Sequence, residues 1–380
     1  MKKVLVIITT AFSPVGGLAT VMMNYYRVLD KSKIHIDFAS TNEIELSLLS
    51  EISAFGSKYF QLPRRGNVLK YWNAVRVLSK NYNILHVHAN SSTALIELSA
   101  AIAAGVPKRI HHNHTSKTQH PFINAVLHPF FMHSFTDAIA CSQLAGDWLF
   151  GKNNYKILRN AINIAKFEYN NEARVLIRNE FGIKEEDFVV GHIGKFMDAK
   201  NHEFLIKVFA EYHLKHPNSK LLLVGDGEWR SKVESWVADS GCADSIILAG
   251  LRSDIPAIVQ AMDVFVFPSI YEGMPLTVLE AQASGLPCLI SSNVTSDVNI
   301  GQDVKMKDLT DGVKDWANSI DSFDYAISRG VRCHNNYELI TKAGYNIENE
   351  ANELLKIYNN GSLKFEITAK RLYAASQRVL

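Results

Sequence analysis

The sequence predicts an α/β protein built from two doubly wound, parallel-sheet domains facing across a cleft. Short apolar runs alternate with helical patterns along the whole chain. Most of these runs are apolar on both faces and end in Gly, Ser, Asn or His, as expected of parallel strands covered by helices on both sides. They also fall into two series, separated near residues 160–185 by the polar stretch "NAINIAKFEYNNEARVLIRNEFGIKEED". A chain of 380 residues fits two or three domains of roughly 100–200 residues each.

The first series is "KKVLVIITT", "HIDFAS", "ILHVHAN", "KRIHHNH" and "AIACS", giving a first domain over residues 1–165. The second is "DFVVGHIGK", "KLLLVGDG", "SIILAG", "VFVFPS" and "LPCLISS", giving a domain over 166–358. A helix over roughly 335–358 closes that domain and is placed to cross back to the first, and a basic tail, 359–380, follows. The N-terminal "MKKVLVIITTAF" mimics a signal peptide, but its apolar run is short, β-branched and without a clear cleavage site, so Val4 to Thr9 reads as a buried strand. No apolar run reaches the roughly 18 residues of a membrane span. The four cysteines, Cys141, Cys242, Cys288 and Cys333, form no C-x-x-C, which argues against a zinc ribbon or a disulfide framework and for a reducing cytoplasm.

A net charge of +2 hides an asymmetry. Residues 1–165 hold 17 Lys+Arg against 8 Asp+Glu, and the remainder 23 against 30, so the halves carry +9 and −7. A basic half suits an anionic membrane surface or a phosphate-bearing acceptor, although solvated faces give such imbalances too.

Ligands in doubly wound sheets bind beyond the carboxyl ends of the strands, and the unusual residues of this chain stand there. In "SPVGGLATVMMNYYRVL", Gly16 and Gly17 follow the first strand and open a helix, which suits close approach to a phosphate or simply a tight turn. "HVH" at 86–88 and "HHNH" at 111–114 end two strands. Alternate histidines on a strand share a face and suit a metal only with further ligands, which the sequence does not identify; contact of His114 with substrate is the preferred reading. In "HIGKFMDAKNHEFLIKVF", Lys195 follows a strand and Lys200 precedes a helix, a pairing suited to a polyanionic leaving group. In "YEGMPLTVLEAQASGLPCLIS", Glu272 stands in a loop, Pro275 opens a helix running to Gly285, and Glu280 lies near its second turn. Free amides from about Leu276 onward suit a diphosphate and the carboxylates suit sugar or ribose hydroxyls, while a carboxylate near a helix start also serves the helix dipole.

Together, Glu272-x7-Glu280 in its "FPSxYEGMPLTVLEAQASGLPCLIS" context, "GKFxxxKN", "LLLVGDGEWRSKVE" and the Gly-Gly loop resemble the retaining GT-B glycosyltransferases of family 4, the glycogen synthase-like superfamily. Among these the chain is most similar to bacterial capsule and exopolysaccharide glycosyltransferases, over about residues 4–358. The resemblance implies that Glu280 binds the donor ribose and Glu272 the transferred sugar, with the amides of Gly273, Met274, Pro275 and Leu276 region nearby. It implies that Lys195 and Lys200, beside Gly194, neutralise the diphosphate, that Gly16 and Gly17 lie against it or the sugar, and that His114 stands near the reacting face. Arg252 falls in the segment whose backbone meets the base. Lys195 replaces the family's usual Arg, removing a bidentate donor, and "LRNAIN" replaces its common hinge pattern.

The implied chemistry is transfer of a sugar from a UDP-linked donor to a hydroxyl of a glycan or lipid-linked glycan, with retention of configuration. No D-x-D occurs in the sequence, so no metal or other cofactor is expected. The segment 64–82, "RRGNVLKYWNAVRVLSKNY", reads either as a basic helix lying on the inner face of the cell membrane through Tyr71, Trp72, Val75 and Leu78, or as a covered surface helix. A nucleotide-sugar epimerase of the same architecture and an inactive nucleotide-sugar-binding protein are the alternatives. A nucleic-acid partner is not expected, and a dinucleotide enzyme is disfavoured because no G-x-G-x-x-G follows the first strand.

Overall fold

The apolar runs form two separate sheets in the computed structural model of the protein, which describes residues 1–10, 12, 17–152 and 154–361. The first sheet contains β1 (Lys2–Ile8), β2 (Ile34–Ser40), β3 (Tyr59–Gln61), β4 (Ile84–Ala89), β5 (Lys108–Asn113), β6 (Asp137–Ala140) and β7 (Lys156–Ile157), in the order β3-β2-β1-β4-β5-β6-β7. The second contains β8 (Phe188–Ile193), β9 (Ser219–Val224), β10 (Ile246–Gly250), β11 (Val264–Phe267), β12 (Cys288–Ser291) and β13 (Val304–Lys307), in the order β10-β9-β8-β11-β12-β13. Neighbouring strands pair in parallel in both sheets. Each order reverses beside the first strand of its series, between β1 and β4 and between β8 and β11, and the crevice beyond such a reversal is where these sheets bind ligands.

β1 is a central strand, paired with β2 on one side and β4 on the other, and Val4, Leu5, Val6 and Ile7 are wholly buried. At about 1.5–3 kcal/mol for each large apolar side chain taken from water, this run contributes to the core and is not a leader-like segment in the fold. The second sheet has cores on both faces, one including Leu222, Phe265, Leu279 and Ile290, the other Phe196, Phe209, Leu221 and Trp316.

The chain divides into two compact units, Met1–Ala161 together with the segment from Ile347 onward, and Ile162–Asn346. The expected boundary after residue 165 lies four residues beyond this division. The single helix expected over 335–358 is instead two, Arg329–Lys342 and Ile347–Asn359, and the second belongs to the first unit. The break falls at Gly344, whose φ of 85° a helix does not accept. From residue 362 the expected basic tail lies outside the described residues.

Three strands were not expected: β3, β7 and β13. β3 and β7 are two or three residues long, all three close their sheets, and β13 (Val-Lys-Met-Lys) is half-buried with lysines at alternate positions, as edge strands tolerate. The basic segment 64–82 forms the helix Val68–Ser79, but its apolar face is covered. Tyr71 and Val75 are buried, Trp72 donates to Ser99 Oγ (3.0 Å), and Tyr71 donates to Glu97 (2.7 Å), so this face packs on the helix Leu95–Ala103 and is not available to a bilayer. Among the described residues no helix is long and apolar enough to cross a membrane.

Candidate active site

In the second unit, the loops after β8 and β11, the two strands flanking the reversal, are tied together. Ile270 N–H donates to Ala199 O (2.9 Å), and Asn201, in the left-handed region at φ 56°, donates its amide to Pro268 O (3.2 Å). Between these ties Lys200 Nζ lies 2.6 Å from Glu272 Oε1 and 4.6 Å from the centre of the Phe267 ring. Gly194 makes room for this lysine: a Cβ there would stand 3.2 Å from Lys200 Cδ and 2.9 Å from His192 Nε2. Gly225, after β9, is pressed as tightly, since its Cβ would meet Gly194 O at 2.1 Å and its φ is 143°. The Lys195 side chain, by contrast, is exposed and without an ion-pair partner among the described residues.

The helix after β11 runs Leu276–Ala283, with Pro275 as its cap rather than its first residue, and it ends two residues short of Gly285. Pro275 offers no side-chain acceptor to the first turn, whereas Ser142, Asn170 and Ser328 cap their helices. Gly273 is exposed, while the side chains of Met274 and Leu276 pack on the core, so this segment presents backbone to its surroundings. Glu280 is half-buried, and its carboxylate has no hydrogen-bond or ion-pair partner among the described residues. Burial raises its pKa from 4.5 to about 7. The two glutamates therefore differ: Glu272 is compensated by Lys200, and Glu280 by no group among the described residues.

Arg252 forks onto Asp254 (2.8 Å) and also pairs with Glu180, so its guanidinium is engaged in holding its own loop. Gly17 and His114 belong to the first unit. Gly17 opens the helix Gly17–Val28 and is exposed, and Gly16 lies outside the described residues. His114 accepts or donates at Nε2 against His88 Nδ1 (2.9 Å), and burial lowers its pKa to about 4, so it is neutral near pH 7.

Sequence reasoning overlooked several polar groups around the lysine loop. His192 donates or accepts at Nδ1 against Val266 O (2.9 Å) and leaves Nε2 without a partner, and both ring nitrogens of His202 are likewise unpaired among the described residues. Burial, then Lys200, lowers the His202 pKa to about 4. Ser269 Oγ and Thr277 Oγ1, in the loop and first turn after β11, are also buried without partners among the described residues. The signal was a cluster of polar residues closing an apolar strand, of which only the lysines had been singled out.

The family described as Glycosyl transferases group 1 matches residues 174–323, within the second unit. EpsF of Bacillus subtilis (strain 168), which bears the glycosyltransferase name provisionally, is 31% identical over 361 residues, covering 90% of this chain and 93% of that protein. The chain belongs to the group 1 glycosyltransferases. A second member of this group-wide similarity, the UDP-Gal:alpha-D-GlcNAc-diphosphoundecaprenol alpha-1,3-galactosyltransferase of Escherichia coli, is 31% identical over 265 residues, 66% of each chain. Among solved structures, Anabaena HepE in complex with UDP and glucose superposes with a TM-score of 0.78 at 16% identity, covering 95% of this chain and all of that one. That likeness concerns the fold, two Rossmann-like α/β domains of the GT-B type. In this glycosyltransferase the tied loops after β8 and β11 are thus part of the region that the family match covers.

Proposed function

We propose that this glycosyltransferase moves a sugar from a UDP-linked donor to a hydroxyl of a glycan or lipid-linked glycan in surface-polysaccharide synthesis, with retention and without a metal at the diphosphate. The carrying observation is the half-buried, unpartnered Glu280 carboxylate in a helix whose first turn lacks a side-chain cap. Ribose hydroxyls supply the donors that this carboxylate lacks, and the first-turn amides supply donors to a diphosphate. When a diphosphate arrives, Lys200 passes from the Glu272 carboxylate to the leaving group, where cationic charge lowers the barrier as negative charge develops. Glu272, released, accepts hydroxyls of the transferred sugar. Exposed Lys195 adds a second cation. The names of the relatives support the acceptor class: the galactosyltransferase of Escherichia coli acts on a diphosphoundecaprenol-linked sugar.

A lipid-linked acceptor calls for peripheral contact with the inner face of the membrane. With the 64–82 helix covered, the helix Pro121–Phe131 supports that contact better: Phe122, Ile123, Val126 and Phe130 are exposed, Phe122 to 79% and Phe130 to 68%, and share a stripe at helical spacing. The reading is tested by thermal stabilisation with UDP, GDP, ADP and CMP and their sugar conjugates, followed by the anomeric configuration of the product and turnover in EDTA. A selective shift with UDP and its conjugates, a retained configuration and undiminished turnover are expected. No shift with any nucleotide in the folded protein points to another activity, and product formed without acceptor points to an epimerase.

A further inference from the structure

The first unit holds a cluster of histidines apart from the lysine loop and the Glu280 helix of the second unit. His86 and His88 of β4 share one face, because alternate side chains on a strand do. The register sets His88 opposite His112 of β5, which places His112 and the following His114 on that face as well. His111 turns to the other side, edge-on to Phe131 and Phe150. The rings are close: centroids are 5.5 Å apart for His86 and His112, 4.9 Å for His88 and His112, and 4.3 Å for His86 and His88.

One ring nitrogen each of His86, His88 and His112 lies within 4.8 Å of the others, and all three side chains are buried. Their remaining bonds are complementary to ligation. His86 Nδ1 meets the Tyr358 hydroxyl (2.7 Å) and His88 Nδ1 meets His114 Nε2 (2.9 Å), while His86 Nε2, His88 Nε2 and both nitrogens of His112 have no partner among the described residues. Buried polar atoms are nearly always paired, so four orphaned nitrogens in one place call for a ligand.

We propose that His86, His88 and His112 bind a divalent transition-metal ion of the zinc class inside the first unit. Imidazole suits such ions, and three histidines leave a fourth position for hydroxide or a small anion, since the ligands bring no negative charge. Tyr358 and His114 hold the second ring nitrogens of two ligands, fixing tautomer and orientation. Zinc–nitrogen distances of about 2.0–2.1 Å require the three rings to draw together on loading. The ion ties β4 to β5 and, through Tyr358, to the helix Ile347–Asn359, so its role is to brace the unit; it is independent of the donor chemistry in the second unit.

The ligands are sealed from solvent, so loading is tested during folding. The full chain is denatured with chelator, refolded with or without Co²⁺, desalted, and examined for visible d–d bands, bound metal and melting temperature. A single equivalent of Co²⁺ giving low-coordinate bands, displaced when Zn²⁺ is supplied at refolding, and a higher melting temperature for the loaded protein are expected. His86→Gln with His112→Gln abolishes the bands, and His120→Gln with His133→Gln, both exposed, leaves them unchanged. X-ray absorption on the Zn²⁺-loaded parent, which needs no variant, shows three imidazoles. Absence of stoichiometric uptake, uptake that survives the His86/His112 change, or fewer than three imidazoles overturns the proposal.

Discussion

Replacing Glu280 by Gln is predicted to stabilise the second unit above neutral pH while weakening its response to nucleotide. Burial raises this carboxyl from 4.5 to about 7, so between those values the folded chain holds a proton that the unfolded chain has released. The folded state then binds more protons, and stability falls as pH rises from about 4.5 through 7 and stays at its lower level above. At about 1.36 kcal/mol for each tenfold change in proton affinity, the difference amounts to about 3 kcal/mol at pH 8. Glutamine keeps the shape without the charge. Its advantage over the parent is near zero at pH 4.5 and reaches about 3 kcal/mol at pH 8, or about 6–12 °C for a domain of this size.

Calorimetry from pH 5 to 8, with urea titrations followed by fluorescence, reads this directly; Trp229, Trp236 and Trp316 all report on the second unit. The same variant loses most of the stabilisation that a UDP-sugar gives the parent, a separation of stability from function expected where a site is poised against its own fold. Equal stability of parent and variant at pH 8, or a gain that does not shrink toward pH 5, would refute the desolvated carboxylate.

Lys200→Ala should lower the transfer rate by about 10²-fold or more and remove the thermal shift with nucleotide, read by turnover and melting curves. Glu272→Gln frees Lys200 and so should bind free UDP at least as tightly as the parent while transferring sugar more slowly, which calorimetric titration and product assay separate. Asp263→Ala strands Arg174 and Arg178, which contact its carboxylate at 2.6 and 2.7 Å, and should cost the second unit about 3–5 kcal/mol in urea unfolding. Phe122→Ser with Phe130→Ser should lower affinity for anionic vesicles in sedimentation without changing the melting temperature, because both rings are exposed.

The parts of the fold legible in the sequence are those where burial dictates composition. β1 and β11 are apolar and buried on both faces, and β4 and β8 are as fully buried with histidines as their only polar side chains, so all four stand out. The edge strands β3, β7 and β13 keep solvent on one side and carry Gln or Lys, which erases the pattern. Likewise Tyr71 and Val75 showed an apolar helix face but not whether it meets lipid or another helix; Glu97 and Ser99, which receive its polar tips, lie more than twenty residues away. At the site, Lys200 and Glu272 were each visible as charges at strand ends. Their ion pair was not, since it depends on the switch in strand order that brings β8 beside β11. The histidines show the same limit: "HVH" and "HHNH" gave the shared faces, but only the β4–β5 register puts His88 beside His112.

The two glutamates of the E-x7-E pair serve opposite ends of one electrostatic problem. Lys200 is held by Glu272, which keeps a partly buried cation compensated. Glu280 bears the cost instead, a half-buried carboxylate with no donor among the described residues. On the proposed reading a nucleotide sugar relieves both: hydroxyls donate to Glu280, and the diphosphate replaces Glu272 beside Lys200. A ligand with the hydroxyls alone answers the first and leaves the lysine paired; a diphosphate alone answers the second and leaves the carboxylate bare. Only a molecule carrying both satisfies the whole arrangement, so discrimination against free sugar and free phosphate follows from how these charges are placed.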